Sequence, residues 1–93
     1  SYFILESDRA SFLVWDGGAG TFTLPSASVV GNNWFVMIRN GGTGILNIAP
    51  VGTDTIDGQV SAQLQLGESF VVVSDGTNWL MTQYIPNNIL LLE

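Results

Sequence analysis

The chain has 93 residues, a formal charge of −6 and only two basic residues, Arg9 and Arg39, so it offers no electropositive track to a nucleic-acid backbone or an anionic membrane. With neither cysteine nor histidine, disulfides, thiolate sites, imidazole metal ligands and histidine-based triads are excluded. One domain of this length buries only about 60–65% of its unfolded surface, and its charged fraction of 11% lies well below the roughly 25% of an average soluble domain, so part of a quiet, partly apolar surface is expected to be buried in a homo-oligomer.

The hydrophobic pattern has a period of two nearly throughout, and no long window keeps the stripe of an amphipathic helix. In chain order it predicts a strand near Tyr2–Leu5, then a hairpin of Ser11–Trp15 with Thr21–Leu24 across Asp16-Gly17. A second hairpin, Trp34–Arg39 with Ile45–Ala49, turns at Asn40-Gly41. After a turn at Asp57-Gly58 comes a strand over Val60–Leu66, whose apolar Val60, Ala62, Leu64 and Leu66 alternate with Ser61, Gln63 and Gln65. A third hairpin joins Ser69–Ser74 to Asn78–Gln83 across Asp75-Gly76, and a last strand covers Ile89–Leu92. Pro25, Pro50 and Pro86 mark strand ends, where a missing N–H does no harm.

These elements describe a single all-β domain over residues 1–93: a compact antiparallel sandwich or jelly-roll-like barrel of about seven to nine short strands. Residues 85–93 form a C-terminal arm or extra strand, and its run Ile89, Leu90, Leu91 and Leu92 is expected to pair into the sheet or bury against a neighbouring subunit. The stretches Trp34–Ile38 and Phe70–Val73 are apolar at every position, as expected of strands covered on both faces, by the core and by a second layer or another subunit. No apolar run approaches the ~18 residues of a membrane helix, so no membrane insertion is expected. The start at Ser1, without Met, fits a processed product or the C-terminal fragment of a longer chain.

An internal echo links the first two turns. Gly17–Pro25, GGAGTFTLP, matches Gly41–Pro50, GGTGILNIAP, and each copy follows a strand carrying a tryptophan, Trp15 or Trp34. A phosphate-binding loop would place a helix after its glycines and usually a lysine; a strand follows both copies and the chain has no lysine. The glycines are therefore expected to reverse the chain between two strands.

Little else reads as chemistry. Of the carboxylates Glu6, Asp8, Asp16, Asp54, Asp57, Glu68, Asp75 and Glu93, half stand next to glycine as turn residues, and no pair is marked as an acid and base across a cleft. The chain is expected to be no enzyme and to hold no cofactor. Asp54 and Asp57 are weak candidates for a hard cation, which would want about six to eight oxygens, and an Asx-type turn ending at Gly58 accounts for them as well. Trp15, Trp34 and Trp79, with Tyr2 and Tyr84, raise sugar stacking against the alternative of core packing. Asn32, Asn33, Trp34, Asn78 and Trp79 are the ligand-binding candidates.

The order of these pieces resembles a small β module of tailed-bacteriophage virion proteins, often found at the C-terminal end of tail-fibre or other surface-protruding proteins. The resemblance runs from about Tyr2 to Trp79, and its most distinctive parts are Gly52–Gly58, GTDTIDG, and Ser74–Trp79, SDGTNW. It implies a homotrimeric β domain on the phage particle, assembled in the bacterial cytoplasm. Its partners would be itself, other virion proteins and a bacterial surface polysaccharide or protein, without nucleic acid. A tail-fibre or receptor-binding role in host attachment is the leading expectation; a capsid decoration or head-fibre protein and a carbohydrate-binding module are the alternatives. The chain departs from the usual pattern by continuing through Pro86 to Leu92.

Overall fold

Along Asn32–Asn40 the side chains part company: Trp34, Val36, Ile38 and Asn40 are buried while Phe35, Met37 and Arg39 are not, the two-residue alternation of a strand with one face on a core. In the computed structural model, which describes residues 1–83, this segment is β4 (Asn32–Asn40). Before it come β1 (Tyr2–Phe3), β2 (Phe12–Trp15), β3 (Gly20–Thr23) and a single helical turn, α1 (Ala27–Val30); after it come β5 (Leu46–Ala49), β6 (Ala62–Leu64), β7 (Ser69–Asp75) and β8 (Trp79–Gln83). They form two four-stranded sheets, in the orders β1-β3-β5-β6 and β2-β4-β7-β8, packed face to face around Phe22, Leu24, Trp34, Val36, Ile38, Leu46, Ile48, Ile56, Leu64, Val72 and Trp79. The expected all-β sandwich is present, with eight strands among the described residues.

The pairing is not antiparallel throughout. β1 with β3, β2 with β4, and β3 with β5 are parallel; only β4 with β7, β5 with β6, and β7 with β8 are antiparallel. Consequently the first two expected hairpins do not exist. β2 and β3 lie in different sheets, as do β4 and β5, so each glycine-rich stretch arches from one sheet to the other, and the second arch stacks on the first. Hydrogen bonds run between the stacked arches, from Gly41 N–H to the Trp15 carbonyl (2.7 Å) and from Thr43 N–H to the Gly17 carbonyl (2.8 Å). The third hairpin, β7 with β8, forms as expected.

The glycines explain the difference. Gly76 has φ 91° and Gly58 has φ 79°, the left-handed geometry of tight turns, whereas none of the six glycines in the two echoed copies has positive φ. They are present because stacked arches touch: a Cβ on Gly42 would lie 2.0 Å from the Gly17 carbonyl oxygen, and one on Gly44 would lie 2.4 Å from the Ala19 nitrogen. Asn40, which reads as a turn residue, is wholly buried and brackets the second arch. Its Nδ2 donates to the carbonyls of Gly44 (2.8 Å) and Leu64 (3.0 Å), and its Oδ1 accepts the Gly42 N–H (3.0 Å), so a buried amide is satisfied on both sides.

Two further expectations change. The strand over Val60–Leu66 contracts to β6, with Val60 left 84% exposed, because only Ala62–Leu64 has a partner, in β5. The chain returns from β3 to β4 through α1, fastened to both sides: Ala27 N–H donates to the Asp54 carboxylate (2.9 Å) and its carbonyl accepts Ser74 Oγ–H (3.1 Å). The expected strand Ile89–Leu92 and the arm over residues 85–93 lie outside the described residues.

Candidate functional site

The turn after β7 is organised by one carboxylate. Asp75 Oδ1 accepts the N–H groups of Asn78 (2.8 Å) and Thr77 (2.9 Å). These bonds, led by the one from Asn78, favour the charged form and hold the Asp75 pKa below its ordinary 3.8. Asn78 Oδ1 in turn accepts the Thr55 N–H (2.8 Å), carrying the turn across to the loop of residues 53–59.

That loop lies along β8 almost as a further strand. Trp79 N–H donates to the Thr55 carbonyl and Asp57 N–H to the Trp79 carbonyl, each at 2.9 Å, and Met81 N–H donates to Asp57 Oδ1 (3.1 Å). Ile56 sits in a parallel bridge to Trp79 and is 1% exposed, so an apolar anchor holds the loop down while Asp57 (φ 51°) and Gly58 (φ 79°) turn it back. The carboxylates offered as cation ligands thus bind backbone: Asp54 takes the Ala27 N–H and Asp57 the Met81 N–H. Among the described residues no three acidic, histidine or cysteine side chains gather as a metal group.

Asn32 pairs with Asp75 across β4 and β7, and the register then slips before Phe35. The slip leaves Asn33 exposed at φ 71°; asparagine tolerates this conformation better than most residues, and such bulges re-aim side chains at sheet ends. The fold therefore brings Asn32, Asn33 and Asn78 together with the turn at residues 54–58 at one end of the sandwich. It presents amides and short polar side chains on a hydrogen-bonded frame suited to hydroxyl-rich or peptide partners.

The two aromatic candidates at this end are not part of its surface. Trp34 is 3% exposed and Trp79 is 0% exposed, with rings edge to face at a centroid distance of 5.6 Å and the Trp34 Nε1–H donated to the Glu6 carbonyl (3.0 Å). Both are core, because a strand residue next to a turn still faces inward when its parity says so. They cannot serve as stacking platforms.

Trp15 is placed differently. The first arch has no earlier arch stacked on it, so the free edge of β2 borders a cleft of about 360 Å³ lined by Tyr2, Phe12, Leu13, Val14, Trp15 and Phe22. Trp15 is half-buried there, edge to face with Phe22 at 5.8 Å, its indole N–H committed to the Gly18 carbonyl (2.6 Å). The cleft was not expected; the signal for it is that the echo has only two copies, so the first must expose a side.

Set against known proteins, the chain matches no protein-family model, no curated protein and no solved structure.

Proposed function

We propose that this domain is a non-enzymatic module of a bacteriophage virion, the receptor-engaging part of a homotrimeric tail fibre that attaches the particle to its host. The observation that carries the reading is that GTDTIDG and SDGTNW, the two stretches most distinctive of the resemblance, are one physical unit: Asn78 holds Thr55, Thr55 holds Trp79, and Trp79 holds Asp57. Spacing of this kind preserves a rigid loop end, and the loop end is where Asn32, Asn33 and Asn78 stand ready for a bacterial surface polysaccharide or protein. The burial of Trp34 and Trp79 weighs against the reading as a carbohydrate-binding module that stacks sugars on exposed indoles.

The test is electron microscopy of virions labelled with an antibody raised against the domain. Label at the tail tip is the expected result. Label on the capsid face would replace attachment with decoration of the head, and unlabelled particles would overturn the virion reading altogether.

A further inference from the structure

The sheet edges among the described residues are not equally closed. β8 is overlaid by the loop of residues 53–59, which takes both the N–H and the C=O of Trp79. β1 has two residues and β6 three, and β6 borders a hydrated outer face, where Thr21, Thr23, Asn47 and Gln63 point outward and Gln63 Nε2–H donates to Asn47 Oδ1 (3.2 Å). β2 is the longest edge left uncovered, and Phe12–Trp15 has neither a charge nor a proline, the usual devices that keep an edge strand from taking a partner.

Its open side carries backbone groups to match. Met37 N–H donates to the Ser11 carbonyl (2.9 Å) and Gly41 N–H to the Trp15 carbonyl (2.7 Å). The alternation of a parallel ladder therefore turns Leu13 to β4 as well, and turns Phe12 and Val14 away from it. Each of these two directs an N–H and a C=O to the open side, with no partner among the described residues. Phe12 is 55% and Val14 53% exposed.

We propose that this edge takes an extended segment of another polypeptide, added as a further strand beside β2 with its inward side chains in the cleft lined by Tyr2, Leu13, Trp15 and Phe22. Donors and acceptors at strand spacing beside an apolar cleft match a strand, whereas an apolar small molecule would leave them unpaired. Trp15 shows that a strand fits and a further arch does not. Gly44 abuts the first arch, but at the matching Gly20 a Cβ would lie 2.5 Å from the Trp15 ring, whose Nε1–H is held by the Gly18 carbonyl (2.6 Å). The indole thus fills the place of an earlier arch and leaves the edge of β2 free. From its described residues a second copy would offer its own β2, and two sandwiches joined edge to edge would leave both clefts unfilled. The segment is apolar at alternate positions, for the cleft. It is basic at its ends, because Asp16 follows β2 and Asp8 holds the Tyr2 hydroxyl (2.7 Å) at the rim. The inference goes beyond the proposed function and holds wherever the domain sits.

Amide hydrogen exchange of the full chain tests it, with the acetylated and amidated peptide KTVTVTVK as probe: valines for the cleft, threonines for solvent, lysines for the rim. Without peptide, the Phe12 and Val14 amides are expected to exchange at least roughly tenfold faster than those of Leu13 and Trp15, and saturating peptide to slow both at least roughly tenfold. Methylating the backbone nitrogens of the valines removes the donors that face a parallel β2, and methylating those of the threonines removes the donors that face an antiparallel one. One of these peptides is expected to bind at least roughly tenfold more weakly than the other; equal binding would overturn pairing through the backbone. A peptide that leaves both amides unchanged would overturn the proposal. So would protection of Phe12 and Val14 in the free chain: at every dilution it would assign the edge to another part of this chain, and only at high concentration to a second copy.

Discussion

Replacing Gly42 by alanine tests the stacked arches directly. The added Cβ would lie 2.0 Å from the Gly17 carbonyl oxygen and 2.8 Å from the Gly17 nitrogen, where ordinary contact begins at 3.4 Å. Both neighbours are backbone, so no side chain can swing away, and the arches must part by more than an ångström. That parting stretches the bonds from Gly41 to Trp15 and from Thr43 to Gly17, each contributing about 1 kcal/mol, on top of about 1–3 kcal/mol for overpacking. A total of about 3–5 kcal/mol is a large share of the stability of a small domain, and it lowers Tm by at least about 12 °C at this size. Gly18 holds the same place in the first copy of the echo but has nothing within 4 Å of its would-be Cβ, so Gly18→Ala stays within about 0.5 kcal/mol of wild type. Calorimetric melting of both variants decides the matter. If Gly42→Ala melts with wild type, or the two variants lose stability equally, the arches are not stacked as described.

Acrylamide quenching is expected to reach Trp15 and to spare Trp34 and Trp79, so Trp15→Phe should remove most of the quenchable emission; strong quenching in that variant would place an indole of the core at the surface. Asn78→Ala orphans the part-buried Thr55 N–H and should cost about 1–2 kcal/mol, seen as faster amide exchange at Thr55 and Trp79, with unchanged exchange counting against the braced loop. Because the folded Asp75 carboxyl titrates below its ordinary 3.8, its stabilisation is present above that value and is withdrawn as pH falls below it through the folded value. Asp75→Asn keeps an acceptor for the turn but not its charge, so it is expected to lower Tm near neutrality and to converge on wild type in acid, with a smaller acid-side fall; an identical fall would exclude Asp75 as a contributor.

What could be read from sequence was whatever depends on neighbours in the chain. The apolar run Trp34–Ile38 and the Asp75-Gly76 turn each report local geometry, and both elements formed. The arches escaped because a glycine required for positive φ and a glycine required for close approach are the same letter. Gly76 is the first kind and Gly42 the second, and only the partner strand tells them apart. The polar loop end was legible as a set of asparagines, and its convergence rests on the Asn78–Thr55 bond between segments 23 residues apart. The burial of Trp79 was a matter of strand parity. The apolar second face of β4 and β7 was plain in the letters, whereas the contrast with the hydrated face of the other sheet needed the register.

The arches also set an order of events in folding. β2 finds its partner only in β4, β4 its next partner only in β7, and β3 is completed by β5, so the N-terminal third of the chain holds nothing to pair with beyond the two-residue contact of β1 with β3. The one pair of described strands joined by a tight turn, β7 with β8, is near the other end. A ribosome releasing this chain from its N-terminus therefore delivers the apolar segments Phe12–Trp15 and Trp34–Ile38 before the strand that shelters them exists, and folding waits on the late hairpin. Topologies ruled by such distant pairings fold in milliseconds to seconds rather than microseconds. During that wait the exposed strands are open to the wrong partner, including the same strands of a sister chain.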